Sequence, residues 1–136
     1  MSVVATCRMC MVDVTDMGNG RPAPKLQTSC SMDAVEGMKV ETMNDKVKDA
    51  RELVMEYLLI NHPLDCPICD QSGECVLQDY SFEYGSGKSE MEYSKRVYGY
   101  RDIGTFVALE RNRCIHCTRC DRFTREITGT NEFGMF

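Results

Sequence analysis

The spacing of hydrophobic and polar positions changes along this chain, and the changes divide it into segments. "MCMVDV" (residues 9–14) and "MKVETM" (residues 38–43) carry Val, Met and Thr in strand-like runs. "MGNGRPAP" between them supplies turn chemistry through Gly18, Gly20, Pro22 and Pro24. From Asp45 the period lengthens. Val47, Ala50, Val54, Tyr57 and Leu58 recur at helical spacing and define one apolar face. Asn44 stands at the N-cap position, and Pro63 cannot continue the helix, which is predicted to stop near Asn61. A second, short helix is predicted over Cys75–Tyr84, after Gly73. "GSGKSEMEYSKRVYGYRD" reads as a surface connector with Tyr93, Tyr98 and Tyr100 as packing anchors. "TFVALE" is strand-like, and a last helix is expected from Thr118 to Thr128, closed by Gly129. Small sheets and separate helices in this order point to the α+β class.

Composition narrows the chemistry. The chain has 136 residues and nine cysteines, an odd number that argues against a secreted disulfide framework. "MSVVATC" opens without a basic and apolar leader, and no N-x-S/T acceptor occurs. The longest apolar stretch, "LVMEYLLI", is interrupted by Glu56 and falls well short of the about 20 residues a membrane span needs. These features together predict a reducing compartment, no direct membrane insertion, and thiols that bind metal. The formal charge of −5 makes nucleic acid an unsuitable partner. Ten scattered methionines form no pair suited to a copper site and are expected to fill irregular packing.

The cysteines fall into three groups: Cys7, Cys10 and Cys30; Cys66, Cys69 and Cys75; Cys114, Cys117 and Cys120. Three constellations predict small units: residues 1–43, 44–86 and 106–136, with a connector over 87–105. A unit of about 40 residues rarely buries enough apolar surface to fold alone, so bound metal would supply stability as well as function. In the third group, C-x2-C-x2-C wraps a short loop around a [4Fe–4S] cubane. Zinc sites usually use C-x2-C pairs set well apart. The bacterial ferredoxin pattern would place a further cysteine and a proline where Thr124 and Arg125 stand, so a fourth ligand must be remote. His116 reads as a spacer between ligands. Arg111, Arg113, Arg119, Arg122 and Arg125 crowd this group, and two readings stand: a solvated helix face, or a positive surround for an anionic centre.

The first group resembles the plant-type [2Fe–2S] pattern, which wants a cysteine where Ser2 stands. Either that ligand lies upstream of the chain or Ser2 substitutes, and a serine oxygen is a poor ligand in such a cluster. The middle group closes within the chain if His62 is counted. A neutral imidazole can complete a three-cysteine cubane, and it removes one negative charge from the ligand shell. On spacing alone, ligand and helix-end histidine both remain readings of His62.

"HPLDCPICDQSGEC" followed by "LQD", then "RCIHCTRCDRFTREITG", resembles the large iron–sulfur subunit family of respiratory complex I, and "CRMCMVDV" resembles that family's [2Fe–2S] module. The resemblance covers nearly the whole chain in the right order. It implies a β-grasp [2Fe–2S] module holding Cys7, Cys10 and Cys30. Small helical and irregular modules would follow, with one [4Fe–4S] cluster on His62, Cys66, Cys69 and Cys75 and a second on Cys114, Cys117 and Cys120. One further ligand for each outer cluster, and a large downstream domain, are absent from this sequence, as in a fragment. The implied function is electron transfer within an NADH:quinone oxidoreductase. A flavin- and NADH-binding subunit and other peripheral-arm subunits would be its partners, on the cytoplasmic side of a bacterial inner membrane. No G-x-G-x-x-G fingerprint and no catalytic acid–base set occur here. Two alternatives stand: the corresponding region of an NAD-linked or iron-only hydrogenase or a formate dehydrogenase, and, from another class, a zinc-stapled interaction module.

Overall fold

The structure is a computed structural model, and it describes residues 1–134; the last two residues of the expected third unit lie outside the described residues. Strand β1 (Met11–Met17) is the centre of a three-stranded antiparallel sheet, flanked by β2 (Gln27–Thr28) and β3 (Met38–Glu41). Val14 pairs with Val40 and Met17 with Met38, and a bulge between Val14 and Asp16 sharpens the local twist. The turn after β1 is closed by Asp16, whose Oδ1 accepts from the backbone N–H groups of Gly18 and Gly20, each at 2.9 Å. Gly18 is required there. Its φ is +85°, and a Cβ would stand 2.6 Å from the Glu36 carbonyl oxygen.

Helix α1 (Asp45–Leu59) crosses β1. Asn44 caps it as expected: its Oδ1 accepts from Val47 N at 3.0 Å, while its amide nitrogen donates to Asp13 Oδ2 at 3.0 Å. One side chain thus satisfies a free helix amide and ties the helix to the sheet. The helix ends at Leu59, two residues before the predicted stop. Its buried face also differs from the prediction. Val47, Arg51 and Met55, spaced four apart, are the buried positions, and Tyr57 is 75% exposed. Arg51 reads as polar in sequence yet lies beneath the sheet edge. Its guanidinium donates to the Met11 carbonyl at 3.3 Å and stands 5.2 Å from the centre of the Tyr84 ring. The long stem of arginine lets it take an apolar position while its head finds partners.

Helix α2 (Val76–Tyr84) follows a loop that turns at Gly73, with Cys75 at its N-cap. Strands β4 (Arg101–Asp102) and β5 (Ala108–Leu109) form a two-residue antiparallel ladder, a shorter element than "TFVALE" suggested. Helix α3 (Arg119–Phe123) widens into a π-helical turn over Thr124–Thr128 and stops at Gly129, φ +70°. The three tyrosines expected to anchor the connector are all exposed, Tyr98 the least so. Tyr98 is held: the Asn112 side chain bonds both its N–H and its carbonyl, and Arg111 lies 4.8 Å from its ring centre. Among the described residues no helix is long and apolar enough to cross a membrane.

Replacing Asn44 by alanine removes both the cap and the tie to Asp13. The expected loss is about 1–2 kcal/mol of stability, read as a lower midpoint in chemical denaturation. An unchanged midpoint would show that α1 is held to the sheet by its apolar face alone.

Candidate metal centres

All nine cysteines are free thiols. In the first group, Cys10 leads into β1 and Cys30 sits on the one-turn 3-10 helix Ser29–Ser31 after β2. Ser29 N donates to the Cys10 carbonyl at 3.1 Å, which pins the two segments together. The Cys10 and Cys30 sulfurs stand 3.3 Å apart. A disulfide would bring them to about 2.05 Å, so these are two separate thiols presented side by side, as two ligands of one metal are. Burial opposes the Cys10 thiolate, but hydrogen bonds from the Cys30 backbone and thiol and from Ser29 outweigh it and lower its pKa. That of Cys30 rises, first because its thiol is engaged with Cys10. Cys7 follows closely after Ala5 (φ +56°) and precedes Arg8 (φ +57°). Ser2 does not turn toward it. The Ser2 hydroxyl bonds the Glu126 carboxylate, and its backbone N–H donates to Glu126 Oε2 at 2.6 Å.

The middle group is built on turns between α1 and α2. Cys66 begins the one-turn 3-10 helix Cys66–Ile68. Cys69 N donates to the Cys66 carbonyl at 3.1 Å, Ser72 N to the Cys69 carbonyl at 3.0 Å, and the chain reverses at Gly73. Cys75 stands at the N-cap of α2. His62 hangs from the end of α1, with its N–H on the Leu59 carbonyl. Its ring is half-buried, and its Nδ1 is buried without a hydrogen-bond partner. Burial, together with the charges of Lys95 and Arg113, lowers its pKa against the opposing pull of Asp65. The imidazole is therefore neutral near pH 7, the form that donates a lone pair to a metal.

In the third group, the one-turn 3-10 helix Arg111–Arg113 delivers Cys114, and Cys120 lies in α3. Between the cysteines, His116 and Thr118 take left-handed backbone conformations, φ +56° and +58°. Left-handed residues inside a short thiolate loop turn successive N–H groups inward and form the concavity that holds an anionic cluster. Thr124 is buried with its hydroxyl on the Asp121 carbonyl. Four of the five crowded arginines turn to separate partners, and Arg119 is exposed. Arg111 covers Tyr98. Arg113 reaches Asp65 of the middle group at 2.9 Å. Arg122 bonds the Ser2 carbonyl and donates to the Cys117 carbonyl at 3.4 Å. Arg125 pairs with Asp121 and Glu126.

Among the described residues no three His, Cys, Asp or Glu side chains gather closely enough to hold one ion. The paired Cys10 and Cys30 sulfurs, the unpartnered His62 nitrogen and the left-handed thiolate loops fit iron–sulfur groups. A cleft of about 400 Å³ is lined by His62 and by Cys114 and His116, with Thr6, the residue before Cys7, also on its wall; Cys114 is the one cysteine among its lining residues.

Comparison with known proteins defines the class. The family described as the NADH-ubiquinone oxidoreductase-G iron-sulfur binding region matches residues 51–90, and the ferredoxin-like domain of NADH-quinone oxidoreductase subunit 3 matches residues 104–136. These are iron–sulfur protein families, and the two matches span the middle and third cysteine groups. The chain is 47% identical over 99% of its length to NADH dehydrogenase [ubiquinone] iron-sulfur protein 1 of Solanum tuberosum, of which it covers 18%. It is 46% identical over 98% of its length to the NADH-ubiquinone oxidoreductase 75 kDa subunit of Reclinomonas americana, of which it also covers 18%. A crystal structure of NAD+-reducing [NiFe]-hydrogenase in the H2-reduced state matches 89% of the chain and 48% of its own at a TM-score of 0.74 and 28% identity. The chain belongs to the large iron–sulfur subunit family of complex I, the 75/78 kDa subunits, and spans about a fifth of the length of the curated relatives it matches.

Glu126 carries a pH-dependent tie. Its pKa is lowered, first by the Ser2 hydroxyl and then by the Ser2 N–H. A carboxylate with a depressed pKa stabilises the fold at and above the ordinary glutamate range. That contribution fades as pH falls through the depressed value. NMR titration of the Glu126 carboxyl should give a midpoint below the ordinary value, and Ser2→Ala should move it back up. An ordinary midpoint in the unmodified chain would contradict the contact.

Proposed function

We propose that the chain is the electron-conducting part of a subunit of NADH:quinone oxidoreductase, and that it carries three iron–sulfur clusters. Cys7, Cys10 and Cys30 would hold a [2Fe–2S] cluster in a β-grasp module over residues 1–43. His62, Cys66, Cys69 and Cys75 would complete a [4Fe–4S] cluster within residues 44–86, and Cys114, Cys117 and Cys120 would hold a second within 106–136. The remaining ligand of each outer cluster comes from outside these residues. When bound, the clusters supply one-electron redox chemistry. The chain's own residues set spacing, exclude water and place charge around each centre.

The observation that carries this reading is the common cleft. His62 and Cys114 line one space, with Thr6, the residue before Cys7, on the same wall, which supports a short step between the middle and third centres. Electrons would enter from a flavin- and NADH-binding partner subunit and leave toward quinone. The chain would sit in a peripheral arm on the cytoplasmic side of a bacterial inner membrane. The hydrogenase reading draws on the matched fold. Against it stand the higher identity to complex I subunits and a buried Thr124 where a further cluster ligand would be needed.

Iron and acid-labile sulfide analysis with EPR tests the proposal. Iron with matching sulfide is expected, and chelation of the iron should unfold the chain. Zinc without sulfide would establish the stapled interaction module instead. His62→Cys should retain the middle cluster at a lower reduction potential, because a thiolate adds one negative charge where a neutral imidazole stood. A potential equal to or above the unmodified value would remove His62 from the ligand set.

A further inference from the structure

We propose that Arg113, which precedes a ligand of the third cysteine group, is a positioning and charge-setting residue of the middle cluster: bonded to Asp65, it locks the two [4Fe–4S] loops together and favours the reduced state of the cluster on His62, Cys66, Cys69 and Cys75. The inference rests on the iron–sulfur reading of those residues and goes beyond it.

Asp65 is the residue immediately before Cys66, and Arg113 the residue immediately before Cys114. Arg113 NH2 donates to Asp65 Oδ2 at 2.9 Å, with both side chains half-buried. The first ligands of the two loops are thus linked by a charge-assisted contact that lies one residue away from each thiolate. A shift of either loop would have to break it.

The guanidinium of Arg113 is tied to the residue that precedes Cys66, so its charge is held against the middle group. Asp65 also occupies only part of the guanidinium, which has five N–H donors. The Nε of Arg113 is buried and has no hydrogen-bond partner, and the His62 Nδ1 is likewise buried and unpartnered. One of these atoms belongs to a side chain four residues before Cys66 and the other to the side chain bonded to Asp65, so both unpartnered atoms belong to residues tied to the Cys66 loop. One electron added to a cluster adds one negative charge. A fixed cation on the rim stabilises that state, and the neighbouring carboxylate opposes it. Lys95 is a second cation at the end of α1, with its ammonium on the neutral Leu59 and Ile60 carbonyls; its charge stays in place in every variant of Arg113 and Asp65.

The test is an EPR-monitored redox titration of both [4Fe–4S] clusters in the full-length, cluster-loaded subunit. Arg113→Met keeps the stem and removes the charge; it should lower the potential of the middle cluster more than that of the third. Asp65→Asn removes the opposing charge and should raise it. Arg113→Lys keeps the charge and should stay near the unmodified value. Opposite shifts are the signature of charge, since a purely structural tie would give both neutralising variants the same effect. Should Arg113→Met lose the middle cluster altogether, Asp65→Asn and Arg113→Lys decide between the two. Shifts in one direction, no shift, or a larger shift at the third cluster would overturn the proposal. Absence of any [4Fe–4S] signal from the unmodified subunit would overturn the iron–sulfur reading itself, a distinct result from a normal signal whose potential ignores the substitutions.

Discussion

Val14, Val47 and Met55 are closed to solvent, and with Val12 they are the buried apolar side chains among the described residues. They form one seam, where α1 crosses β1. Everything else in the chain depends on this seam for its frame, yet the seam is too small to fold the rest by exclusion of water alone. The segments that carry the cysteines lie outside it. They are held by individual polar contacts, many of which join residues far apart in sequence.

Those contacts share a logic. Arg51 bonds the carbonyl of the residue after Cys10 and lies over the Tyr84 ring of α2, so one buried cation joins the first and middle groups. Its partners are a carbonyl, a thioether and an aromatic face, all neutral. Lys95 caps the end of α1 and brings the connector to His62. Arg113 bonds Asp65, and Arg122 reaches from α3 to the Cys117 and Ser2 carbonyls. The ties are mostly made by cations. Thiolate-ligated clusters are anionic, so a framework of cations placed between them holds the loops and offsets the charge of what the loops would carry.

Much of the candidate site was legible in the chain. Cysteine spacing is a local property, because a loop of two or three residues between ligands has few ways to turn. The helix start at Asn44 and the stop at Gly129 followed from capping chemistry acting within four residues. The errors came where a side chain reaches across the fold. Tyr57 matched the helical period but faces solvent, and Arg51 took the interior position. The crowd of arginines around the last cysteines looked like one feature, yet four of the five turn to separate partners and Arg119 is exposed. Ser2, considered for the first group, is engaged by Glu126 of the third.

The sequence by itself determined the spacing and order of the thiols and of His62, and the local turns that present them, since each rests on neighbours within a few residues. The tertiary structure decided which groups meet. His62 and Cys114 line one cleft, and Arg113 serves the loop it does not belong to. Spacing along a chain carries no record of such pairings. They arise from long side chains crossing between segments that a small apolar seam has brought side by side.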